Sequence, residues 1–139
     1  MFVAERRGVV AGFGSCGLQR AENLNAQGYD GEISSIYVLR SFRGVGLGLG
    51  LMSAMGEELR LRRLRAASLW VLRVNQKACR FYEKLGGDII AEKTEIREDG
   101  TVFVEAAYGW RDLGALFRWG RENEIPSAFQ SMCGDHPVS

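Results

Sequence analysis

Two glycine-rich stretches, a tyrosine and a few carboxylates are the residues of this 139-residue sequence whose types and spacing could do chemistry. Arg43-Gly44-Val45-Gly46-Leu47-Gly48-Leu49-Gly50 lies where a strand-like run ends and a helical period begins. Such a junction gathers backbone N–H groups that the helix leaves unpaired, together with the positive end of its dipole, and so holds an anion such as a phosphate. Glycine lets the backbone approach that anion without a Cβ in the way. Arg43 adds a fixed cation with several donors. Glycines at a helix start each cost up to about 1 kcal/mol relative to alanine, and Gly46, Gly48 and Gly50 suit a backbone that is in use. The competing reading is a turn with close helix–sheet packing. No Lys-Ser or Lys-Thr follows the glycines, which excludes a Walker loop.

The other stretch, Gly12-Phe13-Gly14-Ser15-Cys16-Gly17, is formally a dinucleotide fingerprint and would suit an NADP-binding oxidoreductase. That reading needs a helix directly after the glycines and an acidic residue at the end of the next strand. Leu18–Gln27 makes a poor helix, and Val38-Leu39-Arg40 is neutral to basic. Small residues in a strand packed closely on its neighbour explain the pattern better.

Other chemistries are excluded by composition. The single histidine, His136, rules out a multi-His metal centre, and no metal site is expected. Cys16, Cys79 and Cys133 lack ligand spacing and read as reduced thiols, with Cys16 and Cys79 buried, in a cytoplasmic protein. A net charge of +1 argues against a nucleic-acid binder that works by bulk electrostatics. The longest apolar run, Gly44–Gly56, falls short of the ~20 residues of a membrane span. Met1–Arg7 is too short and too charged for a signal peptide.

The elements that must position these residues follow from period and turn chemistry. Phe2–Arg6 and Val9–Leu18 read as strands joined by an Arg7-Gly8 turn, and Gln19–Gly31 as a loop with a helical turn. Ile33–Val38 is a third strand. Leu51, Met52, Met55 and Leu59 mark one face of a helix, Ser68–Leu72 is a strand, and Asn75–Leu85 is a second helix that Gly86 ends. Ile89–Glu98 and Val102–Trp110 form a hairpin around Asp99-Gly100. The expected fold is α/β, a mixed, mostly antiparallel sheet with flanking helices. Residues 1–113 form the domain, and 114–139 a segment that is partly helical and then a tail.

Two of these blocks resemble signatures of the GNAT superfamily of N-acetyltransferases. Arg43-Gly44-Val45-Gly46-Leu47-Gly48 is similar to the family's Arg/Gln-x-x-Gly-x-Gly/Ala loop. Asn75-Gln76-Lys77-Ala78-Cys79-Arg80-Phe81-Tyr82 through Gly86 is similar to its Asn-x-x-Ala-x-x-Phe-Tyr-x-x-x-Gly helix. The two stand in order with a strand between, and with their surroundings they cover about residues 3–112.

The resemblance implies acetyl-CoA as cosubstrate and an amine as acceptor, with direct attack of the amine on the thioester. Backbone at Ile36, Tyr37 and Val38 would hold the pantetheine arm as an added strand. Arg43, Gly44, Val45, Gly46, Leu47, Gly48 and Leu49 would hold the pyrophosphate, and Asn75, Ala78 and Phe81 would contact the cofactor from the second helix. Tyr82 would protonate the departing thiolate. Glu32 resembles the position of a general base and, by strand alternation, would share a face with Ser34, Ile36 and Val38; Glu105 and Tyr108 are weaker candidates. Against the family pattern, Leu39-Arg40 replaces a proline near the loop, and Gly87 stands where a large apolar residue is usual. The N-terminal strand and helices that usually wall the acceptor pocket are missing, and a shortened sheet would leave an edge that invites a homodimer. The rival function is a non-catalytic acyl-CoA-binding module.

Overall fold

The computed structural model describes residues 1–39, 46–114 and 116. Among the described residues nine elements follow one another: β1 (Phe2–Arg6), β2 (Val9–Leu18), α1 (Glu22–Ala26), β3 (Gly31–Val38), α2 (Leu47–Leu61), β4 (Ala67–Leu72), α3 (Gln76–Lys84), β5 (Asp88–Ile96) and β6 (Val102–Trp110). They build one sheet in the order β1-β2-β3-β4-β6-β5. Every neighbouring pair is antiparallel except β3–β4. The α/β expectation therefore holds, with the helical turn expected between β2 and β3 now placed as α1.

Both longer helices lie on one face of the sheet, here the helical face. Leu51, Met52, Met55 and Leu59 are sealed from solvent and join Ile33, Leu69 and Tyr108 in the main core. Leu113 and Leu116 belong to the same core, and Leu116 packs against Gly56 of α2. The start of the C-terminal segment therefore docks on α2; its remainder lies outside the described residues. On the far face a smaller cluster of Leu24, Tyr29, Ala66 and Ala107 packs against Trp70 and Ile90.

The two strand neighbours β3 and β4 pair only at Gly31↔Ala67 and Glu32↔Ser68. A bulge contributes to this parting. Between Ser15↔Ser35 and Cys16↔Ile33, β2 advances one residue while β3 advances two. An extra residue bends a strand and increases its twist. The ladder between β3 and β4 stops just before it, and the strands splay.

The Gly12–Gly17 stretch lies inside β2, with no helix directly after it. A Cβ on Gly12 would come within 2.7 Å of the Tyr37 carbonyl oxygen, and one on Gly14 within 2.7 Å of Met55 Cε. These glycines serve close packing, as the strand reading predicts.

Candidate functional site

A cleft of about 710 Å³ opens at the splay, between β3 and β4 and beneath the start of α2 and the body of α3. Its strand wall runs from Ile33 to Val38, and α3 contributes Asn75, Ala78, Phe81 and Tyr82. Gly46 and Gly48 with Leu49 close the third side. Three stretches far apart in sequence meet at one point: a Cβ on Gly48 would touch Phe81 Cζ at 3.4 Å and Val38 Cγ2 at 3.9 Å. That convergence explains why the strand, the glycine segment and the second helix carry a common signature.

Gly46 stands at the N-cap of α2 with φ +83°, a left-handed conformation that favours glycine. The helix leaves its first-turn amides without internal partners, and they sit at the cleft's rim. Leu47 is buried in the core, so only its backbone serves the site. Arg43, Gly44 and Val45, expected to grip the pyrophosphate, lie outside the described residues.

On α3, Asn75 is the N-cap. Its Oδ1 accepts from the Ala78 N–H at 3.2 Å, which leaves Nδ2 as its donor toward the cleft. The helix ends in a Schellman motif: Gly86, with φ +90°, donates its N–H to Glu83 O, and Gly87 donates to Tyr82 O. A Cβ on Gly87 would meet Trp110 Cζ2 at 2.8 Å. The indole thus fills the space that a large residue at position 87 would need, which accounts for that departure from the family pattern.

Tyr82 borders the cleft and packs on Phe81, Tyr108 and Trp110, with ring centroids 5.4, 5.9 and 6.1 Å away. Burial, and secondarily nearby Cys79, pushes its hydroxyl up to about 12, so it stays protonated and able to donate at neutral pH. Two hydrogen bonds staple this end of α3 to β6. Tyr108 donates to Glu83 Oε2 at 2.6 Å, and Trp110 Nε1 donates to Leu85 O at 3.2 Å. Burial, followed by the Glu83 hydrogen bond, holds the Tyr108 hydroxyl well above the ordinary phenol range. Tyr108 is thus engaged as a donor, which argues against its use as a base. Cys79 is buried and donates weakly toward Leu72 O, while Cys16 is only half-buried, a correction to the expectation of two buried thiols.

The placement of Glu32 differs from the expectation. The bulge shifts the alternation of β3 by one residue, so Glu32 does not share a face with Ile36 and Val38. Ile36 and Val38 pack into the main core, whereas Tyr37 pairs with Phe13 on the far face, ring centroids 5.8 Å apart. Glu32, beside Ser68, also faces the far side. It is 6% exposed, and its carboxylate accepts from Arg20 Nε at 2.7 Å. At the bulge itself Ser15 Oγ bonds both Ser34 Oγ and Ser35 Oγ. Glu105 is engaged by Lys93 at 3.6 Å. Among the residues that sequence reasoning missed are Lys77 and Trp70, which border the cleft, and Arg20, which holds Glu32. Lys77, two positions past Asn75 in the first turn of α3, was open to inference. The other two contacts join residues that no local pattern links.

Comparison with known proteins bears on the family and the fold. Residues 1–87 match the model of the acetyltransferase (GNAT) family. An uncharacterized N-acetyltransferase of Bacillus subtilis, YuaI, is 35% identical over 118 residues, covering 84% of this chain and 65% of the relative. The chain therefore spans somewhat less than two thirds of that protein's length. Among solved structures, an N-acetyltransferase from Staphylococcus aureus Mu50 superposes with a TM-score of 0.65 at 24% identity, covering 80% of this chain and 66% of the other. A candidate streptothricin acetyltransferase from Bacillus anthracis, in complex with acetyl coenzyme A, gives a TM-score of 0.68 at 20% identity, covering 78% and 60%.

Proposed function

The chain belongs to the acetyltransferase (GNAT) family, and from that premise we propose that it transfers an acetyl group from acetyl-CoA to a primary amine by direct attack. The observation that carries the proposal is the position of Tyr82: a buried, protonated hydroxyl on the wall of a cleft whose other sides are a splayed strand and a helix N-terminus. In this reading the segment from Arg43 to Leu49 holds the pyrophosphate, and Ile36–Val38 aligns the pantetheine arm. Asn75, Ala78 and Phe81 line its other side. The thioester then lies in the splay beside Tyr82.

The acceptor must reach the carbonyl carbon from the side that the cofactor leaves open, which is the far face. Glu32 stands on that face and takes the proton of the incoming ammonium through water, with Arg20 holding the carboxylate in place. As the carbon–sulfur bond breaks, Tyr82 delivers its proton to the sulfur. No residue forms a covalent bond with the acetyl group.

The same proposal includes a homodimer through an edge of the sheet, since β1 and β5 are its end strands; light scattering that gives only the monomer mass would remove it. It also includes a cytoplasmic setting, in keeping with the absence of metal-ligand or paired spacing among the three cysteines of the sequence; finding the protein in an oxidising compartment would contradict that. Among the described residues no helix is long and apolar enough to cross a membrane.

The test is thiol release from acetyl-CoA against a panel of amines, run beside Tyr82→Phe. An amine-dependent rate that falls about 100-fold in the variant, with KM for acetyl-CoA little changed, is the expected result. Cofactor binding without release by any amine would leave the binding-module reading in its place. Full turnover by Tyr82→Phe would remove the tyrosine from its role.

A further inference from the structure

The far face holds one of the chain's own amines beside the splay. Lys93 on β5 reaches back across β6, and its Nζ lies 4.3 Å from the ring centroid of Trp70. The same Nζ is 3.6 Å from Glu105 Oε2. Trp70 borders the cleft, two residues beyond the last β3–β4 pair. Its neighbours Leu69 and Val71 pack into the main core, while Trp70 packs with the far-face cluster. Its ring therefore stands on the side from which an acceptor approaches.

We propose that Lys93 is a self-acetylation site: its amine attacks the thioester bound in the cleft of its own chain. The proposal rests on the acetyl-transfer reading above. Trp70 and Glu105 hold an alkylammonium by ring face and carboxylate, and thereby keep Lys93 close to the splay. About half of the Lys93 side chain is exposed, so the ammonium can pass its proton to Glu105 or to solvent. The Nζ lone pair then forms the bond to the acetyl carbon. The carbon–sulfur bond breaks, its electron pair stays on sulfur, and the Tyr82 proton neutralises the thiolate. The second proton that the attacking nitrogen sheds as the amide forms returns to the Tyr82 oxygen through water. The balance is lysine ammonium plus acetyl-CoA giving acetyl-lysine, free coenzyme A thiol and one proton. No other reactant is required. The product is neutral, so Trp70 loses its cation and Glu105 its counter-charge, which changes the charge presented at the far-face mouth of the splay.

The sequence contains three lysines, Lys77, Lys84 and Lys93, so acetyl groups can be placed without ambiguity. The full chain is incubated with acetyl-CoA and followed by intact mass and peptide mapping. One acetyl group is expected at Lys93, at least tenfold faster than at Lys84, with a first-order rate independent of protein concentration. Tyr82→Phe slows it, and Lys93→Arg abolishes it while keeping a cation over Trp70. Equal labelling of Lys84 and Lys93, or a Lys93 rate indifferent to Tyr82→Phe, would reduce the modification to ordinary chemical acetylation and overturn the proposal. If external amines release thiol while Lys93 stays unmodified, the proposal fails and the amine-transfer reading stands. Absence of acetyl-CoA binding would take both down.

Discussion

On the helical face, four side chains of α2 (Leu51, Met52, Met55 and Leu59) lie wholly out of solvent and share one core with five strands and α3. On the far face, the helix placed among the described residues is the five-residue α1, and the cluster there centres on Leu24, Tyr29, Ala66 and Ala107. The described residues also make cation–ring contacts of Lys93 over Trp70, Arg97 over Phe103 and Arg111 over Tyr29. One side is held by close packing of apolar volume, and the other largely by contacts that charge and solvent both reach. A rigid wall suits the grip on a constant donor, whose phosphates and pantetheine do not vary. A face built from exchangeable polar contacts suits an acceptor that does.

The largest effect that could break this contrast lies in the cores themselves. Leu59→Ala is expected to lower stability by about 4 kcal/mol, and Leu24→Ala, in a small cluster that can collapse inward, by about 2 kcal/mol. Urea unfolding of the two variants measures both. Equal losses would erase the difference between the faces.

A second measurement sharpens the donor side. The Tyr82 hydroxyl titrates at about 12 in the folded chain but near 10 when unfolded. Its contribution to stability is therefore complete below pH ~10 and is lost as the pH climbs toward ~12, at about 1.4 kcal/mol per pH unit. Urea midpoints taken across that window should fall more steeply for the native chain than for Tyr82→Phe. Parallel curves would mean that the hydroxyl is not buried as the geometry has it.

The smallest effect is on the far face. Arg97→Met removes one cation from an aromatic ring and should cost about 0.5 kcal/mol. A loss as large as that of Leu24→Ala would show that these contacts carry more of the far face than their exposure suggests.

The same contrast explains what could be read in advance. The helical face announces itself locally: Leu51, Met55 and Leu59 recur at helical spacing, Gly86 ends α3 with a positive φ, and Asp99-Gly100 turns the β5–β6 hairpin. The wall that holds Tyr82, Asn75 and Phe81 was therefore legible, and so was the role of Gly12 and Gly14 as packing glycines. The far face was not. The bulge opposite Ser15 has no composition cue, because Ser34-Ser35 reads like any other pair within a β-branched run. Missing it assigned Glu32 to the wrong side. Contacts such as Arg20 with Glu32 and Lys93 with Trp70 depend on register and on strand order, which a linear pattern does not contain.

The extra residue in β3 has a consequence for how this protein can change. It works as a frame shift written into three dimensions: upstream of it odd positions face the helices, and downstream even positions do. Deleting Ser34 would restore one parity along the whole strand. If β3 kept its upstream anchor at Gly31 and Glu32, Ile36 and Val38 would still face the helices and Tyr37 the far side, so the loss would fall on the bulge, its twist and the Ser15 contacts. Substitutions can accumulate on either side of that point with little effect on the other, whereas a residue added to the strand without a second bulge would reverse every side chain beyond it.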